Sequence, residues 1–272
     1  MSELYLMRWP QNLSAVYVNG ATIRYSKDQS VYYANEVLSP GQIICTWASG
    51  TDYLASGNLP TLPLLKLHKT YELSLKLEAD NDLPVQVQID FLNGHEEVLD
   101  SYRGTGPRLV FTVPKGMVSY EVRLVNLKHE WLRFESLTIG EIGAVGRIFE
   151  ATSRKHYDWV HVRPLRGSNQ KTVQLIVNQG PRSILPLSLD ERCDMEQIFI
   201  TTDGQAVEPL IQSLAHTLRN KTDAQLSLEA GLGYYHLPSE FIVKFKAGLK
   251  QIQKLGGISL KKEANCQFPQ LD

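Results

Sequence analysis

Several kinds of pattern are missing from this chain, and each absence removes a class of function. No apolar run approaches the ~20 residues that a membrane-crossing helix needs. The opening MSELYLMRWPQNLS has no charged segment followed by an apolar one, so no secretory leader is expected. Cysteine is scarce: Cys45, Cys193 and Cys266 are an odd, scattered set without CxxC spacing, which fits a reducing compartment better than a disulfide framework. Charge of one sign is lacking too, because a formal net charge of −1 gives no basic field for nucleic acid or anionic lipid. There is no G-x-S-x-G, P-loop, HExxH or G-x-G-x-x-G. The histidines (His68, His95, His129, His156, His161, His216, His236) form no zinc-type spacing with one another or with cysteine. No catalytic residue, metal site or cofactor is therefore expected. What remains is 272 residues, 43% of them apolar, enough for one large domain or two ordinary ones.

The chain reads as an α+β protein in two parts. Residues 1–143 alternate with the period of two that marks half-buried strands. Tyr71, Leu73, Leu75 and Leu77 form one such face; Val85, Val87, Ile89 and Phe91 form another; Val118, Tyr120, Val122 and Leu124 form a third. In WLRFESLTI the apolar phase changes between Phe134 and Leu137, which predicts a bulge near Ser136, because one extra residue swaps the faces. Asn93-Gly94 and Asn19-Gly20 predict tight hairpin turns through positive φ. Short antiparallel strands with frequent turns indicate a β-sandwich or jelly roll. Residues 144–170 are basic and aperiodic and are expected to be a linker. Residues 171–258 change character. TVQLIV and EQIFIT read as strands buried on both faces, AQLSLEAG as a third strand. Residues 206–219 carry apolar side chains at helical spacing, and a second helix puts Phe241, Ile242, Phe245, Leu249 and Ile252 on one face. This is the pattern of a small α/β domain, followed by a loose tail over 259–272.

Binding residues are sought first among the aromatics, since a pyranose stacks on a ring with polar groups around it. Trp47, Tyr53, Tyr32, Tyr33, Tyr102 and Trp131 are the candidate rings, whereas Tyr71, at the head of an alternating face, reads as core. Trp47 and Tyr53 lie in TWASGTDYLASGNLPTLPLLK, where Pro60 and Pro63 bar a central strand. The glycines of 231–236, between a strand and a helix, could aim backbone N–H groups at an anion. His156 and His161 read as surface residues, and His95-Glu96-Glu97 as a solvated hairpin arm.

R8-W9-P10, N35-x-x-L38-x-P40-G41, T46-W47-x-S49-x-T51-x-Y53, L62-P63-L64-L65 and K69-x-Y71-x-L73 occur in that order. This set resembles the family of the third accessory Sec system proteins, over about residues 7–140, and the resemblance implies a jelly-roll sandwich similar to a carbohydrate-binding module. Members often carry glycine where this chain has His68. The resemblance implies a non-catalytic subunit in the export of serine-rich-repeat glycoprotein adhesins. It implies the first and second accessory Sec proteins as partners, along with the accessory motor ATPase and translocon and the glycosylated adhesin. The implied place is cytoplasmic, peripheral at the inner face of the plasma membrane. Arg8, Trp9, Asn35, Trp47 and Tyr53 are the residues expected to contact sugar or partner. The rival expectation is a free-standing carbohydrate-binding module for GlcNAc- or glucose-bearing peptide, with Trp47 and Tyr53 as its platform.

Overall fold

The computed structural model describes residues 3–26, 28–50, 59–163, 172–180, 182–187, 195–219, 225–256 and 259–260. Strands dominate from the start, as the alternation demands: β1 (Leu4–Met7), β2 (Ala21–Tyr25), β3 (Val31–Asn35), β4 (Ile43–Ala48) and β5 (Thr70–Ala79). They continue as β6 (Val85–Leu92), β7 (Val98–Gly104), β8 (Arg108–Thr112), β9 (Ser119–Asn126) and β10 (Trp131–Glu141). Next come β11 (Ile148–Ser153), β12 (Tyr157–Val162), β13 (Thr172–Gln179), β14 (Ile184–Pro186) and β15 (Glu196–Thr202). The last elements are α1 (Val207–Leu218), β16 (Gln225–Ala230), α2 (Ser239–Gly256) and β17 (Ser259–Leu260).

Two compact units result: Met1–Gly146 with Arg182–Asp190, and Arg147–Pro181 with Glu191–Asp272. In the first, β10 is the spine of a seven-stranded sheet. It pairs with β5 along one side, and with β3 and β1 end to end along the other. The four-stranded sheet, in order β4-β9-β6-β7, supplies Trp47, Val87, Ile89, Phe91, Tyr120 and Val122 to the same core as Tyr71, Leu73, Leu132, Phe134 and Ile139. Two sheets sharing one interior make a sandwich. The bulge lies where the phase change put it: the register of β10 against β5 shifts between Phe134 and Ser136.

Three expectations need correcting. Asn93-Gly94 does join β6 to β7, but neither residue takes positive φ. Asn93 Oδ1 accepts the N–H groups of His95 (2.8 Å) and Glu97 (3.0 Å), and Glu96 adopts φ 63° instead. The side-chain cap thus selects a wider turn than the dipeptide alone predicts. Asn19-Gly20 does not close a hairpin onto SAVYV, because β2 pairs with β3, while Val16 bridges Cys45 of β4. The supposed linker 144–170 contains β11 and β12, which belong to the second sheet. All of β12 is buried, so no polar face exists to give it a period.

The second unit has strand order β11-β12-β15-β13-β16-β17, with β13 parallel to both β15 and β16. Val173, Leu175, Val177, Ile198, Ile200 and Leu226 form one face of this sheet. They share a core with Leu210 and Leu214 of α1 and Phe241, Phe245 and Leu249 of α2. No helix among the described residues is long and apolar enough to cross a membrane.

Candidate functional site

Four of the five expected contact residues lie inside the sandwich. Trp47 is 1% exposed, and its indole N–H donates to the Arg8 carbonyl at 2.8 Å. Trp9, 2% exposed, meets Trp47 edge-on (6.4 Å between centroids), and both rings reach Phe134 at 5.3 and 5.5 Å. Arg8 is buried and extends to the bulge, where its Nη1 donates to the Glu135 carbonyl at 3.1 Å. A bulge residue falls out of the ladder, so its carbonyl needs such a donor. Asn35 is buried at a turn: Nδ2 donates to the Asn19 carbonyl (3.0 Å), while Oδ1 accepts from Val37 (3.0 Å) and Leu38 (3.1 Å). A ring sealed on all sides offers no face to a sugar or a partner. The motif residues Arg8, Trp9, Asn35 and Trp47 hold the sandwich together, and Tyr53 lies outside the described residues.

The remaining motif follows the same logic. Tyr71 is buried; its hydroxyl donates to the Glu3 carboxylate (2.5 Å) and accepts from the Lys66 N–H (3.1 Å). Burial, and then the Glu3 carboxylate, push the phenol above its ordinary range. His68 sits at φ 61° in the turn before β5, with its N–H on the Val113 carbonyl at 2.9 Å. That is left-handed backbone, a conformation that glycine adopts more readily than histidine.

The outer face of the seven-stranded sheet does present aromatics. Tyr32 of β3 and Trp131 of β10 are half-buried and stack at 6.0 Å, 17° from parallel. The Arg24 guanidinium lies 5.8 Å from the Tyr32 centroid. Because β2 and β10 flank β3 on opposite sides, the Tyr32 ring is layered between Arg24 and Trp131. Beside it, Arg133 donates to Asp28 Oδ2 (2.7 Å) and Ser30 Oγ (3.0 Å). The Ser30 hydrogen bonds, and behind them Arg133, hold the Asp28 carboxyl below its usual range against the opposing effect of burial. Trp, Tyr and Arg together are the composition of a protein-binding hot spot. Tyr32 thus has a neighbour on each face, Arg24 on one and Trp131 on the other, which leaves it no free face for a pyranose. Reading the sequence singles out Tyr32 and Trp131 only as two rings among six; Arg24 joins them through strand register, which no local pattern displays.

The second unit offers less. The loop 231–236 uses its N–H groups internally: Gly231 donates to the Val177 carbonyl (2.8 Å), Leu232 to Asn178 Oδ1 (2.8 Å) and His236 to the Gly233 carbonyl (2.9 Å). Gly231 is required because a Cβ there would overlap the Asn178 side chain. His161, expected at the surface, is 2% exposed and faces the Glu196 carboxylate. His156 Nδ1 is 2.7 Å from Asp203 Oδ2. No group of metal-binding side chains occurs among the described residues.

Residues 16–141 match the family model "Accessory Sec secretory system ASP3". The accessory Sec system protein ASP3 of Streptococcus gordonii is 29% identical over 126 residues, 46% of this chain and 79% of that protein. A chain in the crystal structure of accessory secretory proteins 1, 2 and 3 of Streptococcus pneumoniae is 32% identical. That alignment covers 50% of this chain and 94% of the other, with a TM-score of 0.48. The Glycosylation Associate Protein (Gap123) complex of Streptococcus agalactiae contains a chain of like fold (TM-score 0.50, 17% identity), covering 95% of this chain and 90% of that one. Residues 16–141, which run through the sandwich from β2 to β10 and include Trp47 and the turn at His68, carry the family match, and through them the chain belongs to the accessory Sec secretory system ASP3 family.

Proposed function

We propose that this protein is a non-catalytic subunit of an accessory Sec export complex, bound to the first and second accessory proteins. In this role it helps deliver glycosylated serine-rich-repeat adhesin to the accessory motor ATPase and translocon, from the cytoplasmic side of the membrane. The observation that carries the reading is the 32% identity to a chain of the crystal structure of accessory secretory proteins 1, 2 and 3, across 94% of that chain. The Arg24–Tyr32–Trp131 array supports it by supplying hot-spot side chains on an outer sheet face. Against a free-standing carbohydrate-binding module stands the burial of Trp47, one half of its expected platform.

Co-expression with the first and second accessory proteins, followed by size-exclusion chromatography, tests the proposal. A single heteromeric peak is expected, with the isolated chain less stable than the bound one. A chain that elutes alone at micromolar concentration in the presence of both proteins refutes it.

A further inference from the structure

On the outer face of the seven-stranded sheet, one row of side chains crosses four strands. Register sets Arg24 of β2, Tyr32 of β3, Arg133 of β10 and Glu78 of β5 side by side. The other cations of this face are answered within it. Arg133 pairs with Asp28 at 2.7 Å, Lys76 with Glu135 at 2.5 Å, and Arg108 with Glu72 at 3.2 Å. Arg24 differs: it is exposed, and among the described residues it forms no ion pair.

What Arg24 does have is a ring beneath it. Its guanidinium carbon lies 5.8 Å from the Tyr32 centroid, and Trp131 stacks on the other face of that ring. A ring face attracts the guanidinium charge without taking any of its five N–H groups. The cation is thus positioned while its donors stay free, a state that lowers the ordering cost of a later contact.

A single free guanidinium also restricts what can sit on it. Nucleic acid and anionic lipid need several unpaired cations together, and here the neighbours are neutralised. One carboxylate, by contrast, matches the guanidinium fork with two parallel hydrogen bonds. Half-buried Trp131 offers apolar surface next to it, as the rim of a protein contact requires.

We infer that Arg24 receives the carboxylate of an Asp or Glu side chain from the first or second accessory protein, while Trp131 packs against the apolar residues that flank it. This contact presupposes that the chain is a complex subunit, and it adds the chemistry by which the partner is recognised.

The test uses the full chain and the first and second accessory proteins. Arg24→Gln removes the charge at similar length, and Arg24→Glu reverses it. Both should leave the melting midpoint unchanged, because the side chain is exposed and outside any ion pair. The dissociation constant is expected to rise about fivefold for Arg24→Gln and about fiftyfold for Arg24→Glu. Raising the salt from about 50 to about 500 mM should weaken the wild-type complex more than the Arg24→Gln complex. Arg24→Lys gives a direct readout, since carbodiimide joins the introduced amine to a carboxylate within reach. A cross-linked peptide connecting position 24 to an Asp or Glu of an accessory protein is expected. Wild-type affinity for Arg24→Gln and Arg24→Glu, or a formed Arg24→Lys complex without that cross-link, overturns the inference alone. A cross-link to a second copy of this chain overturns the assignment to a different protein. A wild-type chain that binds neither accessory protein overturns the subunit reading with it.

Discussion

Replacing Trp47 by alanine separates a core plug from a binding ring. The side chain is 1% exposed, lies within 6.4 Å of Trp9 and 5.5 Å of Phe134, and donates to the Arg8 carbonyl. Removing a fully buried Trp costs about 3–5 kcal/mol through lost transfer energy and the cavity left behind. The lost hydrogen bond, which leaves the buried Arg8 carbonyl without this donor, adds about 1 kcal/mol. A total near 4–6 kcal/mol is comparable with the whole stability of a modest domain, ~5–15 kcal/mol. Trp47→Phe keeps most ring contacts and should cost about 1–2 kcal/mol, mainly from the hydrogen bond. Urea unfolding followed by far-ultraviolet circular dichroism measures both, without relying on the fluorescence of the residue removed. A surface ring would cost within about 0.5 kcal/mol. A Trp47→Ala chain that loses less than about 1 kcal/mol would refute the burial argument, and with it the structural role given to Arg8.

Trp131→Ala should leave the urea midpoint nearly unchanged, yet weaken binding to the first and second accessory proteins by about 1–3 kcal/mol in titration calorimetry, as hot-spot truncations do. His68→Gly relieves a left-handed residue and should raise stability by about 0.5–1 kcal/mol by urea denaturation, after the added flexibility of the unfolded chain is offset. His129 is buried, and burial lowers its pKa against the opposing pull of the Pro84 carbonyl and Asp80. The unfolded chain then takes up the proton first, so the His129 contribution is whole above about pH 6.5 and declines as the pH falls below it, by no more than about 1.4 kcal/mol per unit. Urea midpoints at pH 7.5 and 5.5 should show this decline, and His129→Leu should reduce it. Burial pushes the Cys45 thiol well up. Iodoacetamide should therefore label Cys45 only in denaturant, as read by peptide mass mapping.

What the amino-acid pattern determined is whatever depends on neighbours a few positions apart. The faces of β5 and β6 follow from alternation, as does that of β9 except at Val118, which precedes the strand and is exposed. The bulge near Ser136 follows from one phase change between Phe134 and Leu137. The helical spacing from Val207 and from Phe241 located α1 and α2. The motif also marked the residues that matter, but not the reason. Arg8 meets Glu135 across 127 positions and Trp47 across 39, contacts that exist only once the strands are in register. The same limit hid β12, whose buried faces leave no alternation to read, and β14, three residues that pair with β1 across the chain. It hid the Arg24–Tyr32–Trp131 array, built from three strands. Local periodicity records which side of an element avoids water. Only tertiary pairing decides whether an aromatic ring faces solvent or seals a core, because that depends on what the second sheet covers.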